Sequence, residues 1–161
     1  MVDAKKVGPP KNEWRTPPAF LRAVESHFGI HFTLDPCAAT DNHLEIPNTF
    51  TEKEDGLLKT WWGTVWVNPP FDSKWIWVRK AYLESMKRRV DAWVLMEADT
   101  GTIQFHLWAP LASVYLIKTR IPFLNHDLKK VGTGCRGHLL MRFSPTGDKD
   151  IQLLDLGDWN R

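Results

Sequence analysis

The sequence predicts an α/β fold in which a mostly parallel sheet is flanked by helices. Compact apolar runs at 64–67, 92–96, 113–117 and 138–143 alternate with stretches whose apolar residues recur at helical spacing, the pattern of strands joined by crossover helices. A length of 161 residues suffices for one sizeable core, and 43% hydrophobic with 25% charged residues is the balance of a folded globule. One domain is therefore expected over 14–161, behind a flexible tail at 1–13 that carries lysines, Gly8, Pro9 and Pro10 but no apolar pattern. Disorder, a collagen helix and a disulfide scaffold are all excluded as descriptions of the whole chain.

Thr16-Pro17-Pro18 opens the first helix, with threonine as N-cap and proline in the first turn, and Gly29 ends it. Phe20, Leu21, Val24 and Phe28 share one face and leave Arg22, Glu25 and Ser26 to solvent. A strand through Phe32 and Leu34 is expected to stop at Asp35-Pro36, because proline lacks the donor that a central strand needs. Residues 37–60 are polar and weakly patterned, so the expectation there is a loop with one or two helical turns. Thr64-Val65-Trp66-Val67 is the next strand and runs directly into Asn68-Pro69-Pro70-Phe71.

Lys74 to Arg89 has room for about four helical turns. Its expected core residues are Ile76, Trp77, Ala81, Tyr82 or Leu83, and Met86, with Lys87-Arg88-Arg89 at the negative pole of its dipole. Ala92 to Met96 is a strand, Thr102 to Trp108 a short helix closed by Pro110, and Ser113 to Ile117 a further strand. Val131-Gly132-Thr133-Gly134 reads as a Gly-rich turn, His138 to Phe143 as a strand after it, and Ile151 to Leu156 as the last strand.

A formal net charge of +2 is too small for the whole surface to hold a polyanion, so any nucleic-acid contact has to be local. Cys37 and Cys135 lie far apart and read as free thiols of a reducing compartment, and no run is apolar and long enough to span a bilayer. The six histidines show no ligand spacing, so no metal is expected. Nine tryptophans is the unusual count. Trp61, Trp62, Trp66, Trp75 and Trp77 crowd around one segment, and most of them are expected in the core.

That segment carries the chemistry. Asn68-Pro69-Pro70-Phe71 leaves the carboxyl end of a strand, where an open parallel sheet binds its ligands. On the residues alone two readings stay open. One is a plain turn. In the other, the Asn68 amide and the Pro69 carbonyl form a stiff pair of acceptors with the Phe71 ring beside them. Methylation of a planar exocyclic amine demands the second: two acceptors for its hydrogens, an aromatic face for the base, and no strong general base, because the nitrogen becomes acidic only as the new bond forms. Orientation and preorganised electrostatics then supply the acceleration. Adenine N6, cytosine N4, a guanine amine in RNA and a protein glutamine all offer that group, and a nucleic-acid-binding module without turnover would keep the same pocket.

From Trp14 to about Phe143 the chain resembles the phage DNA N-6-adenine-methyltransferase family, compact Dam-type enzymes that use S-adenosylmethionine. The resemblance rests on an ordered set: Trp14-Arg15-Thr16-Pro17, Phe20, Leu34-Asp35-Pro36-Cys37-Ala38-Ala39, Asn42, Asp55-Gly56-Leu57, Trp61 or Trp62, Val65-Trp66, Asn68-Pro69-Pro70-Phe71, Trp75, Ala98-Asp99-Thr100, Phe105-His106 and Arg120-Ile121. It implies an abridged Rossmann-like methyltransferase fold. It also implies transfer of a methyl group from S-adenosylmethionine to adenine N6 in double-stranded DNA with the base flipped out, in the cytoplasm of a bacterial or phage-infected cell.

The resemblance further implies catalytic roles for Asn68, Pro69, Pro70 and Phe71. Thr16 and Pro17 would lie near the methionine end of the cofactor, Asp35, Pro36 and Ala38 in its cradle, and Asp55 at its adenosine. Trp75, Arg120, Lys129, Lys130 and Arg136 are expected to touch DNA, with Lys87-Arg88-Arg89 a further basic cluster. Only 33 residues separate Asp35 from Asn68, so part of the usual sheet is expected to be reduced. Glu97 stands where the resemblance leads to proline and Gln104 where it leads to an aromatic residue. Pro36-Cys37 imitates the nucleophile of enzymes that methylate cytosine carbon 5, but nothing basic adjoins the thiol, and a small buried residue is expected instead. No feature of the sequence points to an oligomeric state.

Overall fold

The computed structural model describes residues 14–133 and 136–160; the expected tail at 1–13, the end of the Gly-rich segment and Cys135 lie outside the described residues. Helix α1 (Pro18–Phe28) opens where the prolines place it, but Thr16 does not cap it. The N-cap is Pro17, whose carbonyl accepts from Phe20 N at 3.0 Å and Leu21 N at 3.3 Å. Gly29 ends the helix in the left-handed conformation, at φ 63°, with its N–H on the Glu25 carbonyl.

Strand β1 (Leu34–Ala38) does not stop at Asp35-Pro36. It runs through both residues, between β2 (Asn48–Thr51) and β3 (Thr64–Val67) and parallel to each. Pro36 is tolerated because the ladder is broken around it: the register to β2 shifts between Asp35 and Ala38, and only Leu34 pairs with β3, at Val65. Strand β2 is absent from the sequence reading because Asn-Thr-Phe-Thr carries no apolar period; pairing with β1, not propensity, makes it a strand. Residues 37–60 form no helix but hold single turns: the Thr51 carbonyl accepts from Asp55 N at 3.1 Å, and the Asp55 and Gly56 carbonyls accept from Leu58 N at 3.0 Å and Lys59 N at 3.3 Å. Loops replace the helices that would join β1 to β2 and β2 to β3, which is the reduction the short 35–68 spacing predicts.

A single 3₁₀ turn (Phe71–Ser73) leads into helix α2 (Lys74–Arg88), which crosses to β4 (Asp91–Glu97). Trp77, Val78 and Ala81 are buried as apolar residues, together with Lys74, Glu84 and Ser85. Ile76 and Met86, expected in the core, are 58% and 63% exposed. The buried stripe keeps its helical period but is partly polar, so counting apolar residues misplaces it.

Helix α3 (Ile103–Trp108) is capped by Thr102, whose Oγ1 accepts from Phe105 N at 3.2 Å, and runs into a 3₁₀ turn (Ala109–Leu111) that contains Pro110. The remaining strands are β5 (Ser113–Ile117), β6 (Pro122–Leu124), β7 (Lys130–Thr133), β8 (His138–Phe143) and β9 (Ile151–Leu154). Residues 130–133 are thus one strand of a β6–β7 hairpin and not the expected Gly-rich turn. The turn lies earlier, where Asn125 Oδ1 accepts from Asp127 N at 3.0 Å and Lys129 N at 2.9 Å.

The main sheet has the order β2-β1-β3-β4-β8-β5-β9, and β8 runs antiparallel between β4 and β5 in an otherwise parallel array. Successive residues point to opposite faces. Val65, Val67, Ala92, Val94 and Met96 pack with α2 and α3, while Trp66, Trp93, Leu95 and Tyr115 pack with α1. Trp61 is also core: it stacks on Trp77 at 6.2 Å.

The loop bearing Trp61 is clamped to α2 by one buried carboxylate. Glu84 accepts from Trp61 N at 3.1 Å and pairs with Lys80 at 2.7 Å and Arg88 at 3.2 Å. Glu84→Ala strands a buried N–H and is expected to cost about 2 kcal/mol, read as a lower urea midpoint at unchanged m-value.

Candidate active site

Strands β1, β3 and β4 are parallel, so their carboxyl ends share one edge of the sheet. The chain order reverses between β1 and β3, since β2 lies on the far side of β1. A crevice is expected at such a reversal. Two adjoining cavities open there.

The larger is a groove of about 780 Å³, lined by Arg15, Thr16, the chain from Asp35 to Thr40, His43, Asp55 to Leu57, Pro70 and Ser73. The smaller is a cleft of about 40 Å³, lined by Pro69, Phe71, Lys74, Glu97, Phe123 and His138. Trp14 and Asn68 line both. Pro69 lies on the cleft side and Pro70 on the groove side, so the backbone of 68–70 is the wall between them. This corner is half-buried and stands at the surface of the crevice. Asn68 Nδ2 donates to the Trp14 carbonyl at 3.0 Å, which fixes the amide plane and turns Oδ1 the other way, as an acceptor.

In the groove, the Asp35 carboxyl is buried and, among the described residues, accepts only from Cys37 N, at 2.9 Å. Burial raises its pKa to about 7, and the bond from Cys37 offsets this only in part. The same burial, with the Asp35 charge, pushes the Cys37 thiol far above its ordinary value, so it forms no thiolate nucleophile. The Thr16 hydroxyl is 1% exposed and, among the described residues, has no partner; its carbonyl accepts from His43 Nε2 at 3.0 Å. Pro36 and Ala38 line the groove, but Pro17 does not: it is buried as the N-cap of α1.

Asp55 stands exposed on the rim at φ 54°, its Oδ1 accepting from Leu57 N at 3.1 Å. Gly56 beside it packs so closely on β1 that a Cβ would fall 1.9 Å from the Pro36 carbonyl oxygen. Trp61 Nε1 holds the Gly56 carbonyl at 2.8 Å. Asp55-Gly56-Leu57 therefore works as a unit: the glycine permits the close approach that sets Asp55 on the groove.

In the cleft, Phe123 stacks on Trp14 at 5.6 Å and lies 4.9 Å from the His138 ring. Lys74 is buried, with Nζ 4.5 Å from the Phe71 centroid, 5.6 Å from that of Trp75 and 3.9 Å from Asp99. Glu97 is buried, faces His138 across the β4–β8 pair and binds Arg136 at 3.1 Å. Burial, and then Arg120, depresses His138 to about 4, so it is neutral at physiological pH. Lys74, Glu97, Phe123 and His138 are cleft residues that no sequence motif singles out, whereas Trp14 opens the Trp14-Arg15-Thr16-Pro17 motif but was given no role. Of the first four only Glu97 carried a signal, as a departure from the expected proline at the carboxyl end of a strand.

A sequence profile for the family described as DNA N-6-adenine-methyltransferase (Dam) matches residues 4–153. The chain belongs to this DNA N-6-adenine-methyltransferase family. Its reaction is that of the family, methylation of adenine N6 in DNA. Two relatives carry the same description. The protein of Haemophilus phage HP1 is 29% identical over 139 residues, covering 84% of this chain and 80% of its own. That of Escherichia phage T1 is 34% identical over 95 residues, 57% of this chain and 38% of the longer relative. Among the described residues no helix is long and apolar enough to cross a membrane, and no three His, Cys, Asp or Glu side chains are grouped to hold a metal ion.

For an enzyme of this family the basic residues divide by position. Lys129 and Lys130 are exposed on the hairpin that supplies Phe123 to the cleft and His126 to the groove. Arg136 binds Glu97 of the cleft wall, and the Arg120 charge acts on His138. Trp75 is half-buried against the core beneath Lys74. Lys87-Arg88-Arg89 is elsewhere: α2 leaves the site edge and returns to the opposite one, where Asp91 pairs with Thr64.

Asp35 makes the ligand-free protein's stability depend on pH. Between about pH 4 and 7 the folded chain keeps the Asp35 proton that the unfolded chain has released, so stability declines as pH rises through that window and is flat above it. Asp35→Asn removes the decline and is expected to raise the Tm of the ligand-free protein at pH 8 but hardly at pH 4. A variant less stable than the parent at pH 8 contradicts the buried-charge assignment.

Proposed function

We propose that the groove holds S-adenosylmethionine and the cleft receives an adenine flipped out of double-stranded DNA, so that methyl donor and N6 meet across Asn68. The observation that carries this is the shared wall: Asn68 and Trp14 belong to both cavities and the diproline separates them. The groove's residues fit the donor. Its volume is ample, Thr16 offers an unpartnered buried hydroxyl for the methionine end, Asp35 with Pro36 and Ala38 offers a carboxyl in a tight cradle, and Asp55 stands on the rim for the adenosine. Bound there, S-adenosylmethionine supplies an electrophilic methyl group on a sulfonium.

The chain's own part is orientation. Asn68 Oδ1 and the Pro69 carbonyl accept the two amine hydrogens, and the Phe71 ring holds the base flat, so the nitrogen lone pair is aimed across the wall into the groove. With the donor bound, the lone pair would form the N–C bond as the methyl carbon–sulfur bond breaks and its electron pair stays on sulfur, and the nitrogen would then release a proton to water. The cleft is water-sized between its present side chains. A base stacked on Phe71 takes the face that Lys74 covers, and Asp99 beside Nζ offers the displaced ammonium a partner. Flipping costs a few kcal/mol; stacking on Phe71 and contacts from Trp75, Arg120, Lys129, Lys130 and Arg136 to the duplex offset it.

Asn68→Ala is expected to lower kcat by about 10²-fold or more in a DNA methylation assay, while calorimetry shows S-adenosylmethionine binding within about threefold of the parent. Turnover at the parental rate would remove Asn68 from the mechanism. A chain that binds DNA but gives no heat with S-adenosylmethionine is a binding module without turnover.

Affinity for S-adenosylmethionine is expected to fall as pH drops below about 7, because the carboxylate form of Asp35 accepts from the ligand and the protonated form does so poorly. Calorimetric titration at pH 6 and pH 8 measures this, and in Asp35→Asn the pH dependence disappears.

A further inference from the structure

Among the described residues six buried side-chain nitrogen or oxygen atoms have no hydrogen-bond partner. The Trp66 and Trp93 indoles are sealed in the core and the Ser85 hydroxyl is buried on α2, whereas Thr16 lines the groove and Trp14 and His138 line the cleft. A buried polar atom without a partner is costly, and a site keeps one where a ligand satisfies it. Thr16 is absorbed by the cofactor. His138 Nδ1 is not absorbed by anything in the reaction.

Its surroundings fix the ring. His138 is 6% exposed at the start of β8, its backbone held in the β4–β8 pair and its imidazole packed at 4.9 Å on Phe123, which Trp14 stacks from another side. The charged groups that line the cleft are Lys74 from α2 and Glu97 from β4, and Glu97 is already bound to Arg136 ahead of β8. Burial and the Arg120 charge keep the imidazole neutral, with one nitrogen carrying hydrogen. In an adenine the N6 hydrogens go to Asn68 and Pro69, and the ring nitrogens on either side of N6, N1 and N7, are acceptors that need a donor.

We propose that His138 is a base-reading residue, its Nδ1–H donating a hydrogen bond to N1 or N7 of the adenine placed against Phe71. This rests on the reading of the cleft as the adenine site. The bond recognises the purine ring itself, separately from the amine that reacts, and it selects a base with an acceptor at that position over one with a C–H or N–H there.

The test couples a residue change to an atom change in the substrate. Oligonucleotides containing the methylated adenine are made with adenine, 1-deazaadenine or 7-deazaadenine at that position. His138→Phe is expected to lower kcat/KM about 10- to 100-fold on adenine, to leave S-adenosylmethionine affinity and Tm near the parental values, and to have little further effect on one of the two deaza substrates, on which the parent is already slow. An equal penalty on all three substrates, or none on adenine, overturns the proposal, as does the same coupling appearing with Trp14→Phe instead. If His138→Phe does not fold, His138→Gln and the parent suffice: a parent that methylates both deaza substrates at the adenine rate has no such bond. Absence of any adenine methylation by the parent counts against the reading of the site, whereas methylation without coupling counts against His138 alone.

Discussion

The site depends on a three-residue segment held from several sides. Trp14, Arg15 and Thr16 precede the first helix and have no intrinsic reason to be ordered. Yet the Trp14 carbonyl accepts from Asn68 at the end of β3, Arg15 exchanges two backbone bonds with Leu124 of β6, and the Thr16 carbonyl accepts from His43 beside the groove. The segment thereby joins the diproline corner, the hairpin and the groove loop into one wall. Most of its bonds are made by backbone atoms, which explains how a stretch with little helix or strand propensity is fixed in place. The Asn68 amide is oriented by this wall and not by neighbours along its own chain.

A short chain sets the second constraint. With loops in place of two crossover helices, the β1–β2 edge lacks the usual covering layer, and the groove is built instead from turns packed directly on the strands. The contact of Gly56 with the Pro36 carbonyl is the tightest example. It stands where β1 has already broken its ladder, so the proline costs no regular hydrogen bond and its carbonyl is met by the 55–57 turn. A residue that ordinarily ends a strand becomes part of the groove's lining.

Electrostatics show where folding and binding pull apart. Asp35 is buried with a single backbone donor among the described residues, and the protein holds its proton more tightly than an exposed carboxyl would. Glu84, also buried, is fully met by a backbone N–H and two cations. The difference matches their places: Glu84 clamps a loop to a helix and needs no ligand, while Asp35 faces a cavity and is left short of donors. The Thr16 hydroxyl and the Trp14 and His138 nitrogens, which have no partner among the described residues, also lie on cavity walls. Half of the buried polar atoms left without a partner among the described residues thus stand where a ligand can relieve them, and the other half are sealed in the core or on α2.

What the sequence determined by itself was local. Val65 to Val67 announces a strand and Asn68-Pro69-Pro70-Phe71 a rigid corner after it, because β-branched and aromatic side chains and the fixed φ of proline act within a few residues. The prolines at 17 and 18, Gly29 and Thr102 mark their helices for the same reason, and Asp35 and Asp55 were legible as groove residues only through the ordered motifs around them. The tertiary structure decided the rest: that β1 passes through Pro36, that Asn48 to Thr51 is a strand, that Thr16 faces a cavity and does not cap α1, and that Phe123 and His138 meet Asn68 in one cleft. These depend on register between strands and on contacts between residues distant along the chain. Such contacts leave no period in the sequence, because the energy that selects them arises only when separate elements pack together.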